Sequence, residues 1–169
     1  DLAKKSIEDL QNSISAHFNE SQRPLVIFGA GVGRADSSNV IIDFMNTNNL
    51  PYVSSWNGSG FINHDNNGYF GSIGVYGNRG ANFLLQSADK ILVLGSRLDN
   101  RQRGNVKKFA PLAEVLVLDI DQGELDKHKN DNNYHSKFFD FRRSDEVFSN
   151  LILAHSQTED WINYCNSFN

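Results

Sequence analysis

The chain has 169 residues, enough for one domain that buries roughly 70% of the surface of its extended chain. Its net charge of -4 builds no broad cationic surface, so we expect no nucleic acid among its partners. The single cysteine, Cys165, excludes an internal disulfide and a cysteine-based zinc site. No apolar run is long enough to span a membrane and no signal-peptide pattern occurs, so we expect a cytoplasmic protein.

The first half of the chain alternates between helical and strand patterns. Apolar residues recur at helical spacing over residues 2–18, which predicts an amphipathic helix. The run PLVIFGAGVG (24–33) predicts a buried strand that ends in a glycine turn, and a helix is predicted after Ser37. A second strand is predicted at PYVSSW (51–56), before a turn-rich loop over residues 57–68.

The second half of the chain repeats this alternation. Further strands are predicted at residues 69–74, 91–96, 114–120 and 137–141. Further helices are predicted at residues 78–88, after Asp121, and at residues 142–156 and 160–168. Because the strongest strands are unbroken apolar runs between helices, the pattern predicts an α/β fold. We expect a Rossmann-like, doubly wound parallel sheet of six strands with helices on both faces.

The chain is interpreted as one domain throughout. We expect a leading helix at residues 1–20, the sheet at residues 21–155, and a C-terminal helix or linker at residues 156–169. Ligands of such sheets bind at the carboxyl ends of the strands, near the point where the strand order reverses. Glycine and polar clusters in this sequence follow the predicted strands at that end.

A G-x-G-x-G pattern at residues 29–33 follows the first strand. Glycines there let the backbone turn tightly and let phosphate oxygens approach amide groups. However, Arg34 stands where the third glycine of the dinucleotide fingerprint belongs, and residues 54–56 (Ser-Ser-Trp) lack the acid that binds an NAD ribose. The residues alone leave two interpretations open, nucleotide binding and a plain tight turn.

Charged residues follow the fourth and fifth strands. Residues 95–104 (GSRLDNRQRG) carry three arginines, whose guanidinium groups match phosphate geometry, although a solvated basic loop with an Asp99 pair is the simpler interpretation of the loop alone. Asp119 and Asp121 bracket the end of the fifth strand, where a carboxylate accepts from a ribose or a flavin ring. For Asp121, capping of the next helix is the better interpretation, since Glu124 completes a capping box.

No catalytic constellation is visible in the sequence. The histidines show no metal-ligand spacing, so we expect surface positions for His64, His128, His135 and His155 and a partly buried His17. Trp56 and Trp161 are interpreted as packing residues, and Cys165 as an inert thiol in a terminal helix.

The motifs in this order resemble the central domain of thiamine-diphosphate-dependent enzymes, above all the large catalytic subunit of acetolactate synthase. The resemblance is carried by RPLVIFGAGV, by LPYVSSWNGSGFINHDNNGYFGSIGVYGNRGANFLLQSADKILVLGSRLDNRQRG and by FAPLAEVLVLDIDQGEL, and it covers about residues 5 to 155. It implies a parent enzyme in which this domain lies between a pyrimidine-binding and a diphosphate-binding domain. It also implies a homodimeric or homotetrameric parent.

The same resemblance implies cofactors and a reaction. The parent would use thiamine diphosphate and Mg²⁺, held by the two flanking domains, to decarboxylate a 2-oxo acid such as pyruvate and add the carbanion to a second carbonyl. In acetolactate synthases the central domain carries FAD, which has no redox role in the main reaction; other members carry ADP or nothing. The G-D-G motif of the diphosphate domain is absent here, so we expect a domain fragment that is inactive alone.

The resemblance also implies which residues contact the nucleotide. They are Gly29, Ala30, Gly31, Ser55, Trp56, Asn57, Asn78, Asn82, Gly95, Ser96, Arg97, Asp99, Arg101, Asp119, Ile120 and Asp121. A second hypothesis is a stand-alone FAD or NAD binding module of the electron-transfer-flavoprotein type. A third, a deacylase of the sirtuin kind, requires zinc-binding cysteines, which a chain with one cysteine lacks.

Overall fold

The computed structural model describes residues 2–98, 109–131 and 133–169, and a parallel six-stranded sheet forms its centre. The strands are β1 (Pro24–Phe28), β2 (Tyr52–Ser54), β3 (Tyr69–Ser72), β4 (Lys90–Leu94), β5 (Glu114–Asp119) and β6 (Tyr134–Phe138). They pair in the order β3-β2-β1-β4-β5-β6, every pair being parallel. This is the doubly wound Rossmann order, which confirms the predicted fold class.

Helices and short turns of 3₁₀-helix connect the strands. The helices are α1 (Leu2–Phe18), α2 (Ala30–Arg34), α3 (Ser38–Thr47), α4 (Arg79–Ser87), α5 (Gln122–Asp126), α6 (Ser144–Phe148) and α7 (Glu159–Asn166). The 3₁₀ turns are Ser59–Phe61 and Phe141–Arg143. In the part of the chain that the structure describes, no helix has both the length and the apolar character needed to cross a membrane.

Strand β1 is buried on both faces, which explains why its sequence is an unbroken apolar run. Val26 and Phe28 join the apolar cluster that includes residues of α1, α3 and α6. Leu25 and Ile27 join the second cluster, with residues of α4 and α7. The sheet is therefore covered by helices on both sides.

Helix α1 packs one stripe of side chains against the first of these clusters. Leu10, Ile14 and Phe18 recur every four residues and are buried, as the helical spacing predicts. His17 is also buried, and its Nε2 lies 2.9 Å from the carbonyl oxygen of Ile91 in β4. Burial lowers the pKa of His17 to about 4, so the ring is neutral at pH 7 and donates this hydrogen bond.

The predicted helix at residues 142–156 is wrong beyond its first part. Only Ser144–Phe148 is α-helical, and the following segment continues without regular structure. The buried side chain of Asn48 explains this, because its Nδ2 donates to the Leu151 carbonyl at 3.0 Å and its Oδ1 accepts from the Leu153 amide at 2.7 Å. These bonds use backbone groups that an α-helix would need.

The sixth strand was predicted at residues 137–141, three residues too late. The observed strand, Tyr134–Phe138, is an edge strand whose residues are mostly exposed, so its sequence carries little apolar signal. Phe139 and Phe141 are buried after the strand ends, with ring centroids 5.0 Å apart in an edge-to-face contact. The aromatic residues that predicted the strand therefore lie mostly after its carboxyl end.

Two predictions about single aromatic side chains are also wrong. His128 is only 3% exposed, against the surface position predicted for it, and its ring stacks on Tyr134 with centroids 4.9 Å apart. Trp56 is 64% exposed and so does not pack inside the protein. The prediction for Trp161 is confirmed, because this side chain is buried and its Nε1 donates to the Pro24 carbonyl at 3.1 Å.

Candidate functional site

The strand order reverses between β1 and β4, so the crevice expected of this fold lies at their carboxyl ends. Phe28, the last residue of β1, pairs with Ser54 of β2 and Leu94 of β4, which brings the three following loops side by side. A cleft of about 600 Å³ opens there. It is lined by Ala30, Gly31, Arg34, Ala35, Ser55, Asn57, Gly95, Ser96, Arg97, Asp119, Ile120, Asp121, Asp140, Phe141 and Arg142.

Most residues that the sequence singled out are brought together in this cleft. Those that line it are Ala30, Gly31, Ser55, Asn57, Gly95, Ser96, Arg97, Asp119, Ile120 and Asp121. Trp56 lies in the same β2 loop with its side chain exposed, whereas Asn78 and Asn82 do not line the cleft. Asp99 and Arg101 lie outside the described residues.

The floor of the cleft is a contact between two backbones. The amide of Gly31 donates to the carbonyl of Gly95 at 3.0 Å, and a Cβ added to Gly29 would lie 2.3 Å from that same oxygen. Gly95 has a φ of +61°, in the left-handed region that favours glycine. Glycine at these positions is required by the close approach of the two loops, whether or not a nucleotide binds.

The third glycine of the pattern has a separate packing role. A Cβ added to Gly33 would lie 2.2 Å from a ring carbon of Phe61, which belongs to the loop after β2. Each glycine of the G-x-G-x-G pattern therefore makes room for another part of the protein. The tight-turn interpretation accounts for all three glycines.

The two carboxylates after β5 have different surroundings. Asp121 caps α5, since its Oδ1 accepts from the amides of Gly123 at 2.9 Å and Glu124 at 3.3 Å, which confirms the capping prediction. Asp119 is 7% exposed, and its Oδ1 accepts from the Asp121 amide at 2.9 Å. Burial raises the pKa of Asp119. Its second oxygen retains capacity to accept from a ligand hydroxyl.

Among the described residues, three arginines line the cleft, Arg34, Arg97 and Arg142. Arg34 and Arg97 are exposed, and neither makes an ion pair with any residue that the structure describes. Arg142 is paired with Asp140, with its Nε 3.0 Å and its Nη2 2.5 Å from carboxylate oxygens. Guanidinium groups in such a cleft are suited to phosphate oxygens, to which they donate two parallel hydrogen bonds.

Sequence reasoning missed the cleft residues Arg34, Asp140, Phe141 and Arg142. Arg34 was noted only because it replaces the third glycine of the dinucleotide fingerprint. The others were hidden by the shifted sixth strand, which placed residues 140 and 141 inside the sheet. Had the polar stretch YHSKF been recognised as an edge strand, D-F-R would have fallen at its carboxyl end, beside the other strand-end clusters.

Asn78 and Asn82 use their side chains within the loop between β3 and α4. The Oδ1 of Asn78 accepts from the Ser72 amide at 2.8 Å. Asn82 accepts from the amide of Gly74 and donates to its carbonyl, both at 3.0 Å. These bonds fix the loop that leads into α4.

A known protein family matches the part of the chain that forms the sheet. The family described as "Thiamine pyrophosphate enzyme, central domain" matches residues 12–135, well over half of the chain. The chain belongs to this family of central domains. The family match begins inside α1 and extends into β6, so it includes all six strands in whole or in part.

Relatives of this central domain include large subunits of acetolactate synthase. The chain is 33% identical over 108 residues to the isozyme 2 large subunit of Escherichia coli K12, covering 64% of this chain and 20% of that subunit. It is 32% identical over 110 residues to the large subunit of Pyropia yezoensis, covering 65% and 19% respectively. For the isozyme 1 large subunit of E. coli K12 the values are 32% over 128 residues, 76% and 22%. The central domain thus spans about a fifth of the length of these relatives.

Proposed function

We propose that this chain is the central domain of a longer, acetolactate-synthase-like enzyme. That enzyme would decarboxylate a 2-oxo acid and join the product to a second carbonyl compound, using thiamine diphosphate and Mg²⁺. Membership of the central-domain family and identities of 32–33% to acetolactate synthase large subunits support this proposal. The flanking pyrimidine-binding and diphosphate-binding domains are its partners, in a homodimer or homotetramer.

The catalytic cofactor has no fitting donor set in the described part of this chain. No group of three or more histidine, cysteine, aspartate or glutamate side chains is suited to hold a metal ion among residues 2–98, 109–131 and 133–169. The proposed role of the domain is to bind a nucleotide and to position its neighbours, and we expect it to be inactive alone.

We propose that the nucleotide is FAD or ADP, and the extent and lining of the cleft support this. It collects side chains after β1, β2, β4, β5 and β6, and five adjacent strands span about 19 Å at a spacing of ~4.8 Å. A ligand of that extent meets guanidinium groups, a carboxylate and backbone amides in turn. When bound, FAD would supply no electrons to the main reaction and would serve as part of the structure.

Each part of the ligand has a proposed set of partners. Arg97 and, beyond the described residues, Arg101 would hold the diphosphate through charge-assisted hydrogen bonds, with Arg34 on the opposite loop. Asp119 would accept from a ribose hydroxyl. The flat ring of the ligand would lie in the β2 loop, where Ser55 and Asn57 line the cleft beside the exposed Trp56. Asn78 and Asn82 would act indirectly, through the loop that they order.

Titration of the longer parent enzyme with FAD and with ADP, with and without Arg97→Ala, tests this role. We expect the variant to bind about tenfold to a hundredfold more weakly, because a hydrogen bond to a charged group contributes roughly 1.5–3 kcal/mol. Its melting temperature without ligand should stay the same, since Arg97 is exposed.

Arg143→Ala is the matched control, because Arg143 is partly exposed, pairs with Glu146 at 2.6 Å and does not line the cleft. It should keep full affinity. Unchanged affinity of the Arg97 variant for both nucleotides would refute the phosphate role.

The mass of the native polypeptide separates the proposal from the alternative of a stand-alone FAD or NAD module. The relatives are about five times as long as the stretch they share with this chain, so the proposal requires a much longer product. An immunoblot of the source organism with an antibody against the 169-residue chain measures this directly. A single band near 19.0 kDa would favour the stand-alone module.

A further inference from the structure

The sequence contains two Asn-Gly pairs, Asn57-Gly58 and Asn67-Gly68. In such a pair the amide nitrogen of the glycine can attack the side-chain carbon Cγ of the asparagine, because glycine has no side chain to hinder the approach. The peptide group between the two residues must rotate before the nitrogen reaches Cγ. The structure restrains this rotation differently in the two pairs.

The first pair is held rigidly. Gly58 is buried, and its amide nitrogen donates to both the carbonyl oxygen and the Oγ of Ser55, at 3.1 Å in each case. A Cβ added to Gly58 would lie 2.6 Å from the carbonyl oxygen of Phe28 and 3.1 Å from the carbonyl carbon of Gly29. Because backbone lies directly against Gly58, its peptide group has no room to rotate toward the side chain of Asn57.

The second pair lies in the turn that leads into β3. The Tyr69 amide donates to the Asn66 carbonyl at 3.0 Å, so Asn67 and Gly68 are the two central residues of a β-turn. Asn67 is exposed. Its side chain and its carbonyl oxygen make no hydrogen bond with any residue that the structure describes. The electrophilic carbon of this pair is therefore open to solvent and free to turn.

One hydrogen bond restrains the attacking nitrogen of the second pair. The Gly68 amide donates to Oδ1 of Asn66 at 3.1 Å, and to no other atom in the described part of the chain. The atoms closest to a Cβ added to Gly68 belong to the side chains of Tyr52 and Asn46, not to backbone. Since the partly exposed Asn66 side chain changes rotamer rapidly, the Gly68 nitrogen is released more readily than that of Gly58.

We propose that Asn67 is a site of spontaneous modification. The Gly68 nitrogen forms a bond to Cγ of Asn67 and loses its proton, and the side-chain nitrogen leaves as ammonia, which gives a succinimide ring. Water then opens the ring at either of its two carbonyl carbons and leaves an aspartyl or an isoaspartyl residue. The proposal does not rest on the nucleotide cleft or on the proposed activity.

The isoaspartyl product would loosen β3. It adds one carbon to the backbone between Asn66 and Gly68, inside the turn that the Asn66–Tyr69 hydrogen bond closes. The Gly68 carbonyl, next to the change, accepts from the Tyr52 amide at 2.9 Å and so holds the start of β3 against β2. Because β3 is an edge strand, it has no second neighbour to retain it. We expect the isoaspartyl form to melt at a lower temperature than the unmodified protein.

Incubation of the native polypeptide at pH 7 and pH 9, followed by proteolysis and peptide mass spectrometry, tests the proposal. We expect Asn67 to be converted at least about fivefold faster than Asn57 in the folded protein, because it needs less local opening. Both conversions should be faster at pH 9, since the attacking nitrogen must lose its proton. In urea that unfolds the protein, the two rates should become similar. Equal rates in the folded protein, or no conversion of Asn67, would overturn the proposal.

Asn66→Ala tests the restraint on the attacking nitrogen. Loss of the Oδ1 acceptor should speed the conversion of Asn67 by about twofold to tenfold, as expected for one hydrogen bond. Asn63→Ala is the matched control, because the Asn63 side chain accepts from a different amide of the same loop, that of Asp65, at 3.0 Å. It should react as the parent does. Equal rates in the two variants would contradict the geometry on which the proposal rests.

Asn67→Gln tests the consequence for β3. The longer side chain would have to close a six-membered ring, so this variant should resist the modification. After the same incubation at pH 9, the parent should melt at a lower temperature than before, whereas Asn67→Gln should keep its melting temperature. An equal fall in both would show that the change at Asn67 does not loosen β3.

Discussion

The two edges of the sheet are closed by different means. At the carboxyl edge, the loops after β1 and β4 touch backbone to backbone through Gly29, Gly31 and Gly95, and charged side chains surround the cleft above them. At the amino edge, the side chain of Asn48 connects α3 to the segment before α7. One edge depends on the absence of side chains and the other on a single buried side chain.

This difference determines what each edge tolerates. Where two backbones are in direct contact there is no space between them, so an added side-chain atom forces the two loops apart. When a buried side chain such as Asn48 is removed, water can take over its hydrogen bonds where the partners lie near the surface. Its removal therefore destabilises the protein less than an added atom at the glycine contact.

The largest expected effect comes from Gly29→Ala. Its Cβ would lie 2.3 Å from the carbonyl oxygen of Gly95, and because the backbone fixes the positions of both atoms, no change of rotamer relieves the clash. We expect a loss of about 4 kcal/mol in the free energy of unfolding, at the upper end for overpacking. Gly60→Ala is the control, since nothing lies within 4 Å of its added Cβ. Urea denaturation measures both, and equal stabilities would disprove the tight contact.

His17 should make the amino edge sensitive to acid. Its folded-state pKa of about 4 lies below the ordinary 6.5, so the unfolded state binds the proton more tightly and stability falls as the pH drops from 6.5 to 4. The full effect is about 3 kcal/mol. Asp89 and Glu114 have lowered pKa values, so their contributions begin to be lost only as the pH falls through their ordinary values of 3.8 and 4.5, at the lower end of this window and below it.

Denaturation of the parent and of His17→Gln between pH 7 and pH 4 measures the contribution of His17 to the free energy of unfolding. The free energy of unfolding should change less with pH in that window in the variant than in the parent. A parent-like slope in the His17 variant would assign the acid sensitivity to other groups.

Asn48→Ala should destabilise the amino edge by about 2 kcal/mol. The change removes hydrogen bonds to Phe44, Leu151 and Leu153 and leaves their backbone groups to find water. Asn46→Ala, two residues earlier on the exposed side, should change little because that side chain makes no hydrogen bond to the described residues. Thermal melting compares the stabilities of the two variants. A similar loss of stability in both would show that the hydrogen bonds of Asn48 are not what stabilises the amino edge.

The smallest effect is expected at the carboxyl edge, from Asp119→Asn. A raised carboxyl pKa means that the folded state prefers the protonated form, so the stability it contributes at low pH is lost as the pH rises. At pH 7 the neutral amide should therefore stabilise the protein, by less than about 1 kcal/mol. Asp121→Ala should instead destabilise it by about 1 kcal/mol, since it removes a helix cap. Calorimetry at pH 7 distinguishes these opposite signs.

The buried strands followed from the sequence, because burial on both faces leaves an unbroken apolar run. What could not be read was any element whose form depends on a distant partner. The segment after Phe148 has a helical composition, yet Asn48, about a hundred residues earlier, holds it out of a helix. Strand β6 is polar because it lies at the edge of the sheet, a position that its own residues do not specify.

The site was predicted in the same uneven way. Clusters that directly follow strong strands, such as residues 29–31 and 119–121, were found and line or underlie the cleft. Asp140 and Arg142 were missed because they follow the weakest strand. The packing role of Gly33 against Phe61 was invisible, since periodicity says nothing about which loop will cover a glycine.

The contact between Gly29 and Gly95 also has a consequence for motion in the cleft. Since neither loop can swing outward without pulling on the other, the floor must move together with β1 and β4, at the rigid centre of the sheet. Among the described residues, closure around a ligand is then left to the opposite wall, which carries Asp140 and Arg142. There the exposed guanidinium group of Arg142 can exchange Asp140 for a phosphate by a side-chain rotation, on a timescale far shorter than that of any movement of the sheet. The cleft thus has a rigid floor at Gly29, Gly31 and Gly95, and a wall at Asp140 and Arg142 whose side chains can adjust.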